Sequence, residues 1–190
     1  MAPGDSTAAK TAPKPLDLVQ RFVNSVDLES GDDELASPDA LRDWFAERGL
    51  IDAGIKLNAA DLRRAVEVRE GLRAVLRHNN GLPLDDDAVE RLDRAVRRAG
   101  VRVRFAPGRD PELVTDAQGL DGAIARLMAI VAAAVEHGRF ERLKACPRDA
   151  CEWAFYDNSK NRSGRWCNMD SCGNLEKAKA FRERRRSARH

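Results

Sequence analysis

The sequence predicts a mainly α fold: a helical N-terminal domain with one short β-hairpin, followed by a small metal-binding module. Three observations carry this expectation. Apolar residues recur at helical spacing through most of the chain up to His137. One stretch, 101–105, alternates apolar and basic residues at the two-residue period of a strand. All four cysteines fall between positions 146 and 172, in two close pairs.

The first fifteen residues, MAPGDSTAAKTAPKP, cannot bury enough surface to offset chain entropy, so a disordered tail is expected over 1–15. They contain no apolar stretch of the kind a secretory signal needs, and no run in the chain is long enough to span a bilayer. A cytoplasmic protein is expected.

The spacing predicts a first helix over 16–29, with Leu18, Phe22 and Val26 on one stripe. Ser37-Pro38 marks the next helix start, Ser as N-cap and Pro where a missing N–H costs nothing. That helix runs to Gly49 and groups Leu41, Trp44 and Phe45. Asn58 reads as the N-cap of a longer helix to about Asn79, carrying Leu62, Val66, Leu72, Val75 and Leu76. Gly71 inside it costs about 1 kcal/mol against Ala, which points to a close packing contact. A helix over 86–99 follows, its leading aspartates suited to the positive dipole end, and Gly100 closes it. Then comes the hairpin, 101–105 against 112–115. The most apolar helix, 120–137, places Ile124, Leu127, Met128, Val131 and Val135 as the expected core face. Residues 16–138 are expected to form an independent domain, and 139–190 the module.

Charge is unevenly distributed. Residues 139–190 hold 14 Lys/Arg against 7 Asp/Glu, whereas 1–138 hold 19 against 24. The basic end on an acidic body suggests an anionic partner for that end alone.

The cysteines are spaced C-x4-C-x15-C-x4-C: Cys146, Cys151, Cys167 and Cys172. Two pairs joined by a spacer let two turns converge on one tetrahedral ion, and four thiolates favour one structural Zn2+ with no open position for catalysis. Disulfides suit a cytosolic chain poorly. An iron–sulfur cluster is the remaining rival for four thiolates. Trp153, Phe155 and Trp166 supply a small core beside the ion. A basic helix follows Cys172, so the module reads as treble-clef-like, with Lys177, Lys179, Arg182, Arg184, Arg185 and Arg186 on that helix.

These residues also carry a resemblance. Phe155, Asp157 and Ser159 (F-x-D-x-S), Arg165, Trp166, Cys167 and Met169 (R-W-C-x-M), and Cys172-Gly173-Asn174 resemble the CGNR zinc finger. Leu175 stands where that family has Arg. Upstream, FVNSVD at 22–27, L-x-x-W from Leu41 to Trp44, and RRAVEVREGLRAVL at 63–76 resemble the ABATE domain that precedes this finger. The resemblance implies a bacterial transcription regulator.

DNA contact is expected from the six basic helix residues together with Arg162 and Arg165, whose charges would neutralise phosphates. The rival reading of the basic run is an ordinary solvated helix end, and Arg165 could equally pair with Asp157. Trp153 and Tyr156 could stack on bases or serve the small core. Asn24 and Arg69 lie near apolar stripes, each readable as a buried packing group or as an anchor for a small-molecule effector. The helical domain is expected to form a homodimer, sense a signal, or both. His78, His137 and His190 are given no role, and no motif for an enzyme is present. The alternative function is a protein–protein adaptor docking an acidic partner, or RNA binding. Leu175 could pack against Trp166 or Phe181, or mark a lost phosphate contact.

Overall fold

Helix α3, Ala59–Asn79, is the axis on which the chain assembles. It starts where expected. Asn58 accepts hydrogen bonds from the Ala60 and Asp61 amides, and the Asp61 carboxylate accepts from the Asn58 N–H, a reciprocal cap worth about 1 kcal/mol. Before it run α1, Leu16–Val23, and α2, Pro38–Glu47, the latter capped by Ser37 with Pro38 at its first position. After it come α4 (Asp86–Val96), a 3-10 turn at Arg97–Ala99, the antiparallel strands β1 (Arg102–Arg104) and β2 (Glu112–Val114), and α5 (Gly119–Glu136). The C-terminal part holds a second antiparallel pair, β3 (Leu143–Ala145) and β4 (Ala154–Tyr156), and the final helix α6 (Asn174–Ser187). The computed structural model describes residues 10–187.

The core is built where α1, α2, α3 and α5 meet. Phe22, Trp44 and Phe45 meet at centroid separations of 5.3–5.7 Å, Phe22 stacked on Phe45 and Trp44 edge-on to Phe45. Around them Val19, Leu41, Val68, Leu72, Leu76, Ile124 and Leu127 are buried, each contributing roughly 1.5–3 kcal/mol of apolar burial. Gly71 explains the closeness of α3 and α4: a Cβ there would lie 2.5 Å from Leu92 Cβ and 3.2 Å from the Ala88 carbonyl oxygen. Gly100 ends the α4 segment with φ 61°, a conformation glycine tolerates best.

Two expectations are corrected. The first helix stops at Val23 instead of 29, because Asn24 turns its amide to another segment and Val26 bridges to Asp33. The core side of α5 is its N-terminal half: Met128 and Val131 are half-buried, and Val135 is 58% exposed. Of the tail expected over 1–15, residues 1–9 lie outside the described residues. Within 10–15, Ala12 is buried, its amide donates to Gln20 Oε1 at 2.7 Å, and Lys10 Nζ donates to the Trp166 carbonyl, while Thr11 and Pro13 to Pro15 are exposed.

The seam at Gly138 divides the chain by motif and not by packing. Phe140, Leu143, Ala145, Ala154 and Tyr156 belong to the same apolar cluster as the helices. The β1–β2 hairpin, by contrast, is largely exposed and meets the body where β2 lies against α5. Its Arg102–Asp116 and Arg104–Glu112 pairs (2.7 and 2.6 Å) tie the turn together, while Val103 and Leu113, directly opposite one another, are 51% and 41% exposed.

Candidate metal centre and nucleic-acid interface

Two turns present the cysteines. The first, 146–151, leaves β3: the Cys146 amide donates to the Trp153 carbonyl at 3.0 Å, the Cys151 amide to the Arg148 carbonyl at 2.8 Å, and Glu152 takes φ 44° to enter β4. The second, 167–172, is closed by Asn168, whose side chain accepts from the Asp170 and Ser171 amides, and ends in a π turn, Met169–Gly173, that runs into α6. Gly173 lets the turn close tightly there, since a Cβ would meet Met169 Sδ at 2.5 Å and Trp166 Cδ1 at 3.2 Å and the methionine would have to shift. Knuckle, hairpin and a ligand at a helix start make the treble-clef-like arrangement.

The four sulfurs converge as the spacing predicts. All lie within 4.8 Å of one another, and Cys151–Cys167 and Cys167–Cys172 are each 3.6 Å apart. A tetrahedron with metal–sulfur bonds of about 2.3 Å has edges of about 3.8 Å, so the set fits one zinc ion. The Cys151 and Cys167 thiols hydrogen-bond the Cys146 sulfur and bring its pKa down to about 2. The same sharing pushes Cys151 up to about 12, and Cys167 upward as well. Four thiolates this close ionise together only around a cation. Cys146, Cys151, Cys167 and Cys172 therefore form a closed structural site for one Zn2+.

The shell around the site comes largely from residues that the sequence reading passed over. Arg148 donates to Glu29 at 2.8 and 3.1 Å and lies 3.8 Å from Cys172 Sγ; the Glu29 hydrogen bond raises the arginine pKa further, as the sulfur does. Lys144, buried, donates to Asp157 at 2.7 Å and to the Arg162 and Gly164 carbonyls. Burial raises the Asp157 pKa, but the hydrogen bonds from Lys144 and Ser159 outweigh it and hold the carboxyl at about 2. Arg165 does not pair with Asp157, because Lys144 occupies that place. Phe155 is buried in the finger, while Trp153 and Trp166 are half-buried.

Helices α1 and α3 hold the finger through side chain to backbone hydrogen bonds. Asn24 Nδ2 donates to the Ala154 carbonyl at 2.9 Å and Asn24 Oδ1 accepts from the Ala154 amide at 2.7 Å, a pairing like that of a neighbouring strand. Gln20 adds a bond to the same carbonyl. Asn79 donates to the Phe140 and Leu143 carbonyls, and Asn80 to those of Ala145 and Arg165. Arg73, 2% exposed, donates to Val23 and Glu152 carbonyls and to Glu70. Arg69 makes a two-point ion pair with Asp33 (2.7 and 2.9 Å) and bonds Ser25 and Glu70. Asn24 and Arg69 are thus engaged within the chain, and the packing reading of both fits their geometry. The i, i+4, i+8 series Arg69, Arg73, Arg77 and the pair Asn79-Asn80 at a helix end were signals that could have been read from the sequence.

The proposed DNA-contacting residues separate into two groups. Arg162, at φ 52°, is paired with Glu141 at 2.7 Å, and Arg165 is exposed, its carbonyl held by Asn80. Lys177, Lys179, Arg182, Arg184, Arg185 and Arg186 are all exposed on α6, a helix with no buried residue. Leu175 is 50% exposed and Phe181 54%, so Leu175 is not packed into the finger.

Two family models match. One, ABATE, described as "Putative stress-induced transcription regulator", covers residues 16–139. The other, described as CGNR zinc finger, covers residues 142–185. A search of curated proteins finds no match.

Proposed function

Starting from a chain that belongs to the ABATE family, we propose that it is a zinc-stabilised, non-enzymatic regulator whose finger binds double-stranded DNA in the cytoplasm of a bacterium. One observation carries the reading. Among the described residues, none of the six cations of α6 lies within ion-pair distance of a carboxylate, whereas Arg148 and Arg162 in the body of the finger are both paired. Arg185 has only the Phe181 ring, at 5.8 Å. Uncompensated charge on a helix whose start is fixed by a metal ligand suits a polyanion.

In this reading the helical domain supplies regulation. Self-association would use the exposed apolar face of the β1–β2 hairpin, and effector sensing would act through the polar seam beneath the finger. No helix among the described residues is long and apolar enough to cross a membrane.

The test is affinity for random-sequence duplex DNA as a function of salt. Wild type should show a steep slope of log K against log salt. Replacing Arg184 and Arg185 with Ala should make it shallower by at least about one unit. Tighter binding to single-stranded RNA than to duplex, or a salt-insensitive affinity, would overturn the assignment and favour the RNA or acidic-partner alternatives.

A further inference from the structure

The orientation of α6 on its partner can be read from how its charges are distributed around the helix. At about 100° per residue, Leu175, Ala178, Arg182 and Arg185 share one arc of about 80°. Lys179 and Arg186 border it on one side, and Phe181 on the other. The two acidic residues of the helix, Glu176 and Glu183, lie one above the other some 120–140° away, beside Ala180. The arc is free among the described residues: Leu175 is half-exposed and Ala178 is exposed, and α6 packs chiefly against the ligand-bearing turn at its own start.

Resting on the DNA-binding reading above, we propose that α6 enters the major groove with the arc Leu175, Ala178, Arg182 and Arg185 against the bases and the Glu176/Glu183 side turned to solvent. The groove, about 12 Å wide, admits a helix of about 10–12 Å diameter. This orientation turns both carboxylates away from the groove floor, with Lys177 and Arg184 on the same far side. Ala178 at the centre of the arc lets the backbone approach closely. Leu175 sits in the first turn, next to the end fixed by Cys172, where a recognition helix meets base edges. Its side chain is an apolar contact for a thymine methyl group, so the leucine at this position is a specificity residue.

The experiment is a matched pair on one helix. Ala178→Glu and Ala180→Glu change net charge and helix propensity equally and occupy different sides, Ala178 being exposed and Ala180 half-buried. With zinc content and thermal melting checked to be alike, Ala178→Glu should weaken duplex binding at least about tenfold and Ala180→Glu by less than about threefold. Equal losses would overturn the orientation while leaving DNA binding intact; a wild-type protein with no duplex affinity would overturn both. For Leu175, duplexes selected by the wild type are compared with the same duplexes carrying deoxyuridine for thymidine. Wild type should lose affinity on removal of the methyl groups and Leu175→Ala should not discriminate. Undiminished discrimination by Leu175→Ala would remove Leu175 from the base contacts.

Discussion

Replacing Asn24 with alanine removes two hydrogen bonds at once, and the geometry says what each was satisfying. The Ala154 amide has Asn24 Oδ1 as its side-chain partner, at 2.7 Å, whereas the Ala154 carbonyl accepts from both Asn24 and Gln20. Ala154 is fully buried. Asn24→Ala therefore leaves one buried N–H unsatisfied, at a cost of about 1–3 kcal/mol. Gln20→Ala leaves the Ala154 carbonyl with Asn24 but frees the Ala12 amide, for a similar loss. In the double variant the carbonyl is orphaned as well, so the two changes should cost more together than their sum, by about 1 kcal/mol. Urea unfolding of the zinc-loaded chain measures all three, and hydrogen exchange at Ala154 localises the effect. An Asn24→Ala cost below about 0.5 kcal/mol, or strict additivity, would refute the clamp and return Asn24 to the role of a free polar group.

Three further outcomes are expected. Purified protein should contain about one equivalent of zinc and no iron; Cys172→Ser should lower the stability of the whole chain, because β3 and β4 belong to the common core, and an unaltered helical transition would contradict that. Gly71→Ala gains up to about 1 kcal/mol of helix propensity but must push α3 from α4, and because the nearest atom is a Cβ that cannot swing aside, a net loss of about 1–3 kcal/mol is expected on urea unfolding. The Asp33 carboxyl is raised by burial but lowered more by its hydrogen bonds, chiefly from Arg69, so its folded pKa lies below its ordinary value. Its contribution is present above about pH 4 and lost as pH falls through the folded value; Asp33→Asn should thus destabilise at pH 7 with a gap that closes on acidification, and a gap constant down to pH of about 3 would refute this.

Caps and periods were legible because they are local. Ser37-Pro38, the Asn58 cap and Gly100 each fix their element through neighbours in sequence, and the cysteine spacing determines its own turns. What could not be read was long-range. Asn24 ends α1 because its partner is 130 residues away, and Lys144 takes Asp157 from Arg165 because folding brings the 162–164 loop over its ammonium group. The apolar composition of α5 concealed which half would be covered, since periodicity gives a face and says nothing about where along a helix the neighbours stop.

The shared core beneath the finger has a mechanical consequence. The finger is not tethered like a bead; β3 and β4 are bolted to α1 and α3, and α6 projects from them as a lever about 21 Å long. A tilt of about 10° at the seam, of the size that a few re-paired hydrogen bonds at Asn79, Asn80 or Arg73 would accompany, moves the far end of that lever by about 4 Å. Any such change in the helical body would reach the basic tip as a displacement comparable to the spacing between neighbouring base pairs.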